Sequence, residues 1–148
     1  MTTGISSFDT SIIKTKEWIQ SVQNELHLDD EQQAYVALRA VLHVLRDRLT
    51  PNEAADFGAQ LPLLLRGVYY DGWKPAGKPL KIRSQDEFLA EVSKAITQKQ
   101  QPKLADPIRV SQGVIKIIEK HVTGGEMQDV RNSMTQHIQK LWPQTEEV

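Results

Sequence analysis

One short segment of the chain concentrates residue types that often carry binding energy. Two tyrosines and a tryptophan lie close together beside charged residues: Arg66, Tyr69, Tyr70, Asp71, Trp73 and Lys74. Aromatic side chains bury large rigid surfaces and still offer polar tips to a partner. We assign Tyr69 to the core, because an internal repeat pairs it with Trp142. The others form a candidate binding patch of Arg66, Tyr70, Asp71, Trp73 and Lys74, and the alternative interpretation is a structural clamp.

A second candidate is the polar strip of an otherwise apolar helix that we predict over residues 30–49. The strip consists of Arg39, His43, Arg46 and Asp47. His43 and Asp47 are four residues apart, so they share one face of a helix, and a His–carboxylate pair can do acid–base chemistry. The sequence places no nucleophile or second base beside this pair. We therefore favour a solvated face of ion pairs.

Metal, haem and phosphate sites are not favoured. The four histidines lack the spacing typical of metal sites in helix bundles, and none lies clearly on an apolar stripe: His27, His43, His121 and His137. Cysteine is absent, which excludes disulfides and Cys-ligated zinc. Gly124-Gly125 lacks the lysine of phosphate-binding loops. We predict no metal and no cofactor.

Composition bounds the class of protein. The 148 residues are 39% hydrophobic and 25% charged, which is typical of a globular protein. The net charge of −1 gives no general attraction to nucleic acid or to an anionic membrane. No signal peptide and no apolar run of about 18 residues is present, which favours a soluble cytoplasmic protein without a membrane partner.

Helix-start signals agree with apolar residues at helical spacing. Thr50-Pro51-Asn52-Glu53 is a capping box with proline at the first helical position. Ser84, Asp106 and Thr123 begin further helices, the second followed by proline. No strand pattern is present, so the sequence predicts an all-α fold. The helix over residues 30–49 is apolar on most sides, and we place it centrally.

Pro62 interrupts the next helix pattern. A proline inside a helix clashes with the carbonyl group four residues earlier, which here belongs to Gly58. We therefore predict a kink over residues 58–62 or a break into two short helices. Thr135 takes the equivalent place in the second half, where we predict a continuous helix over residues 124–142.

The second half of the chain repeats the apolar and capping pattern of the first. Residues 17–26 return as 87–96, and residues 41–69 return as 114–142, with three additional residues in between. The repeated positions are mostly core and helix-start positions, so the repeat describes a scaffold. The predicted organisation is a flexible arm (1–10), a first helical repeat (11–73), a basic Pro/Gly linker (74–83), a second helical repeat (84–142) and a tail (143–148).

Two motifs also resemble a known bacterial family. Leu-Arg-Ala-Val-Leu-His at 38–43 and Tyr-Tyr-Asp-Gly-Trp at 69–73 are similar to the domain-of-unknown-function family numbered 2267. The resemblance extends from about Phe8 to Trp142. It implies an all-helical fold with a globin-like arrangement of crossing helices. It implies no activity and supplies no catalytic residues.

We predict two tandem pseudo-symmetric three-helix units packed into one orthogonal helical bundle. The favoured function is a non-enzymatic interaction or adaptor module with a protein partner, since no catalytic constellation is present. A nucleic-acid partner is disfavoured, and formation of a homo-oligomer is compatible with the sequence. The alternative is a small-molecule-binding protein or enzyme that uses a pocket between the repeats. An exposed apolar patch would favour the first function, and a polar cleft lined by both repeats would favour the second.

Overall fold

The computed structural model describes residues 2–97 and 104–143, and this part of the chain contains eight helices and no strand. The helices are α1 (Ser6–Leu26), α2 (Glu31–Asp47), α3 (Pro51–Gly58), α4 (Leu63–Tyr70), α5 (Gln85–Thr97), α6 (Pro107–His121), α7 (Gly124–Asn132) and α8 (Gln136–Gln139). The all-α prediction is confirmed. The insertion predicted between the second repeat's helices falls largely in 98–103, and most of the predicted tail is 144–148; both segments lie outside the described residues.

The helix α1 begins at Ser6, so the prediction of a flexible arm over residues 1–10 is wrong for its second half. The N-cap residue, Ile5, makes no side-chain capping bond, which explains why no helix-start signal was recognisable at this position. Instead, the Asp9 carboxylate accepts hydrogen bonds from the amide and hydroxyl of Thr3, at 2.7 and 2.9 Å. These bonds fix the chain that leads into α1.

The helix α2 is central, as predicted. It contacts α1, α4, α5 and α6, and ten of its residues are buried. The Asp30 carboxylate accepts from the Gln33 amide at its first turn, which caps the N-terminus of the helix. Because α2 touches helices from both halves of the chain, their buried apolar residues form a single core cluster.

The predicted break at Pro62 is confirmed, because α3 ends at Gly58 and α4 begins at Leu63. The Thr50 capping box is also present, with Glu53 and Thr50 bonded reciprocally. Glu53 additionally accepts from the Ser133 hydroxyl at 2.6 Å, which joins α3 to the end of α7.

The continuous helix predicted over residues 124–142 is wrong. It is divided into α7 and α8, because Thr135 caps a new helix instead of continuing the old one. The Thr135 hydroxyl accepts from the Ile138 amide and donates to the Arg83 carbonyl at 2.6 Å. Within residues 2–97 and 104–143, each predicted repeat therefore contains four helices rather than three. The pseudo-symmetry and the globin-like arrangement stay predictions.

The basic linker over residues 74–83 is attached to the end of α2. The Leu80 amide donates to the Asp47 carbonyl at 2.8 Å. The Arg48 side chain donates through Nε to the Ile82 carbonyl at 2.8 Å, and the Ile82 side chain is buried. The linker therefore belongs to the packed structure, although Lys74, Lys81 and Arg83 remain exposed.

Candidate functional site

The aromatic segment lies at the C-terminal end of α4, where Tyr69 is fully buried. Its hydroxyl donates to the Ala54 carbonyl at 2.8 Å, and burial raises the pKa of this phenol well above its usual value. The assignment of Tyr69 to the core is therefore confirmed.

The rings of the two predicted binding aromatics, Tyr70 and Trp73, continue from Tyr69 as a row of contacting rings that are inclined to one another. The ring centroids of Tyr69 and Tyr70 are 4.9 Å apart, and those of Tyr70 and Trp73 are 5.5 Å apart. Tyr70 also lies so close to Gly58 that a Cβ atom there would be 2.5 Å from the tyrosine hydroxyl. Both side chains are half-buried. These contacts are those of a structural clamp, and a binding role for the pair stays a prediction.

The charged residues of the candidate binding patch make their contacts in different parts of the molecule. Arg66 donates to the Gly58 and Leu61 carbonyls at 3.1 Å each, which caps the C-terminal end of α3. Asp71 is exposed and pairs with Arg39 at 3.4 Å. Lys74 is exposed in the linker. Arg66 thus lies in α4 and bonds to the turn before that helix, whereas Asp71 directly follows the helix.

Side chains of the polar strip of α2 bond to this C-terminal end of α4. The prediction that the strip is a solvated face of ion pairs is therefore wrong for Arg46. The Arg46 side chain is buried and donates to the Tyr69 and Asp71 carbonyls at 2.8 and 3.0 Å. Its Nε also donates to the Asp47 carboxylate at 2.9 Å. The terminal carbonyl groups of a helix need such partners when they are buried. Arg46 supplies them from a neighbouring helix.

His43 makes a similar contact one turn earlier. Its Nε2 atom lies 2.7 Å from the Val68 carbonyl, so this nitrogen carries the proton and donates. Burial, together with the charges of Arg46 and Arg39, lowers the pKa of His43 to about 4. The imidazole is therefore neutral near pH 7, and its donor nitrogen is engaged with the backbone. This arrangement does not provide the acid–base pair with Asp47 that the spacing allowed.

A surface that the sequence analysis did not nominate lies at the other end of α4. A groove of about 380 Å³ separates the first turns of α1 from the first turns of α4. Its lining is almost entirely apolar and includes Phe8, Ile12, Leu63, Leu64 and Gly67. We name it the α1/α4 groove. The large side chains at both of its walls are exposed, with Leu63 at 52% and Leu64 at 48% of their full area.

One hydrogen bond ties the two walls together. The Leu64 amide donates to the Ser11 hydroxyl at 2.6 Å. The first amides of a helix have no partner within the helix, so Ser11 satisfies one of those of α4 from α1. The groove is therefore built on two helices that are joined at its floor.

A polar cleft of about 530 Å³ adjoins the groove, since Ser11 and Leu63 line both. Its charged and aromatic side chains come from α1, from α4 and from the end of α6: Lys14, Glu17, Trp18, Arg66 and His121. The rings of Trp18 and His121 stack with centroids 4.7 Å apart. Burial lowers the pKa of His121, so its ring is neutral near pH 7. The cationic side chains of the cleft are then Lys14 and Arg66.

Residues 2–97 and 104–143 contain neither a metal-binding cluster nor a membrane-spanning helix. No three acidic or histidine side chains there converge in a way that could hold a metal ion. Every helix in those residues is too short or too polar to cross a bilayer.

A comparison with family models identifies the family of the chain. The family model described as "Uncharacterized conserved protein (DUF2267)" matches residues 15–141. The chain belongs to the DUF2267 family. A comparison with curated proteins gives no match. The DUF2267 match begins inside α1, after Phe8 and Ile12, so it covers the core and the polar strip but only part of the α1/α4 groove.

Proposed function

We propose that the protein is a non-enzymatic interaction module that binds an apolar segment of a protein partner in the α1/α4 groove. One observation carries the proposal. Six large apolar side chains are exposed in the described part of the chain, and three of them line this one groove: Phe8, Leu63 and Leu64. Contiguous exposed apolar surface is typical of protein–protein contact sites.

The energetics favour a partner at this place. Apolar surface in contact with water is unfavourable by about 25 cal/mol for each Å². A partner that covers the exposed side chains recovers part of this free energy on binding. The groove lies between two helices that already pack together and are joined by the Ser11–Leu64 hydrogen bond, so the backbone of its walls is ordered before a partner binds. The polar groups nominated by the sequence support the non-enzymatic part of the proposal, since His43 and Arg46 are already engaged with backbone carbonyls.

The test is affinity capture from the native cell extract with three forms of the protein. Leu64→Glu places a charge in the groove, and Ile108→Glu makes the same change at an equally exposed residue on α6 (48% and 44% exposed). We expect the wild type and Ile108→Glu to retain the same protein, and Leu64→Glu to lose it. Retention by Leu64→Glu, or the absence of any captured protein, would contradict the proposal. We propose the cytoplasm, which the sequence predicts, as the compartment of this encounter.

A small-molecule-binding role is the second candidate. The polar cleft favours it, because His121 of the predicted second repeat and Lys14 of the first line the same cavity. We expect such a ligand to raise the melting temperature of the wild type and not that of Lys14→Glu. A panel of small carboxylates and phosphates that shifts neither protein would argue against this candidate.

A further inference from the structure

The chemistry of the two adjoining cavities restricts which segment fits them. A segment seated in the α1/α4 groove passes within reach of the polar cleft, because Ser11 and Leu63 line both. Lys14 and Arg66 give the cleft two positive charges against the single negative charge of Glu17. The rim of the groove therefore has a small positive excess on one side.

The two cations differ in how they are held. Arg66 donates to the neutral carbonyls of Gly58 and Leu61, so its guanidinium is fixed in place and keeps its positive charge. Fixing a long side chain before binding removes part of the entropic cost of association. Lys14 is exposed on α1, and its flexible side chain can follow a partner's carboxylate.

The elements and side chains that line the groove favour a helical segment of the partner as its occupant. Strand addition needs an open sheet edge, and residues 2–97 and 104–143 contain no strand. Grooves for polyproline segments are lined by several aromatic rings, whereas among the residues that the structure describes Phe8 is the one ring that lines this groove. Two packed helices with an apolar cleft between them are the setting in which an amphipathic helix docks, through apolar residues at i, i+3 or i+4, and i+7.

We infer that the occupant of the α1/α4 groove is an amphipathic helix of a partner protein, with an acidic residue beside its apolar face that pairs with Lys14 and Arg66. This inference rests on the proposed function and specifies the partner's chemistry. The apolar face enters between α1 and α4, and the carboxylate lies at the mouth of the polar cleft.

The experiment is selection from a phage-displayed library of amphipathic helical peptides with random polar positions. We expect the enriched peptides to carry Asp or Glu at one flank of the apolar face. Exchange of that residue for lysine should weaken binding to the wild type about two- to fivefold, the effect of one exposed charge pair. With Lys14→Glu the preference for the acidic peptide should disappear. Lys94→Glu on α5 is the control, because it makes the same charge change at another exposed lysine.

The other possible results of the selection distinguish a failure of this inference from a failure of the proposed function. Enriched peptides that lose binding to Leu64→Glu but show no acidic preference would overturn the inference and leave the proposed function standing. No enrichment, or peptides that bind Leu64→Glu normally, would overturn both. A wild type that sediments as a dimer when Leu64→Glu is monomeric would identify a second copy of the chain as the occupant and also overturn the inference.

Discussion

The two ends of α4 differ in whether their residues are bonded within the protein or exposed at its surface. At the C-terminal end, buried Arg46 and half-buried His43 bond to the last carbonyl groups, and Tyr69 closes the core. At the N-terminal end, Leu63 and Leu64 remain about half exposed and line a groove. The residue types that suggest recognition are thus engaged within the molecule. The less distinctive apolar residues leave surface available for a partner.

The largest effect should follow from Arg46→Met. This change leaves the carbonyls of Tyr69 and Asp71 and the Asp47 carboxylate without their buried partner, and we expect a loss of about 3–5 kcal/mol in the free energy of unfolding. Urea denaturation measures it. Arg39→Met is the control, since its pair with exposed Asp71 should contribute less than about 1 kcal/mol. Equal losses in both variants would show that the C-terminal end is not held as described.

A pH-dependent effect should follow from His43. Its pKa is about 4 in the folded protein against an ordinary value of 6.5, so the folded state binds the proton less readily than the unfolded state. Stability is then complete above about pH 6.5 and falls as the pH is lowered toward 4. Partial exposure reduces the expected loss to about 2 kcal/mol of the roughly 3 kcal/mol that the pKa difference represents.

The control for this titration is His43→Gln, whose amide can donate to the Val68 carbonyl without titrating. We expect the difference in unfolding free energy between pH 7 and pH 5 to be smaller in this variant than in the wild type. The same pH dependence in both proteins would show that other groups, such as His121 with its lowered pKa, account for the change.

Two glycines sharpen the comparison, because Gly58 packs against Tyr70 at the C-terminal end of α4, whereas Gly67 lies within α4 and lines the groove. A Cβ atom at Gly58 would be 2.5 Å from the Tyr70 hydroxyl oxygen and 2.9 Å from Cζ, so we expect Gly58→Ala to cost about 1–2 kcal/mol. A Cβ atom at Gly67 meets nothing within 4 Å, so Gly67→Ala should stabilise α4 by about 0.5–1 kcal/mol. Thermal melting distinguishes the signs. A cost at Gly58 that persists in a Tyr70→Ala background would refute the clamp.

The smallest effect on stability is expected at the exposed end. Leu64→Glu should change the free energy of unfolding by less than about 1 kcal/mol, because half of its side chain already contacts water. Leu65→Ala at the neighbouring buried position should cost about 2–5 kcal/mol. If the two variants melt alike, the start of α4 is part of the core, and the groove is not an independent surface.

Helix boundaries were predictable from the sequence where a local bond defines them. Thr50, Ser84 and Asp106 bond to amides two or three residues ahead, so residue type and spacing are sufficient. Pro62 disrupts a helix because it clashes with the carbonyl group four residues earlier, so an interruption there was also predictable from the sequence. Thr135 was not, because a threonine inside a helix pattern and a capping threonine look alike until the Arg83 carbonyl is brought beside it.

The candidate site was less predictable, because its properties depend on distant partners. Arg46 is 23 residues from the carbonyl group of Tyr69, and no spacing rule connects them. The walls of the groove are likewise joined by Ser11 and Leu64, 53 residues apart. One local signal was present: three consecutive leucines over 63–65 span about 200° of a helix, so they cannot all face one core.

The family match covers residues 15–141, whereas one wall of the groove is built from the turns that precede Thr15. A protein trimmed to that range keeps every buried apolar side chain of the described residues except Trp142. It loses Phe8, Ile12 and the Ser11 hydroxyl. Such a fragment would retain nearly the whole scaffold and lack a wall with which to hold a partner. Experiments on such a fragment would therefore test the core of the fold and not the α1/α4 groove.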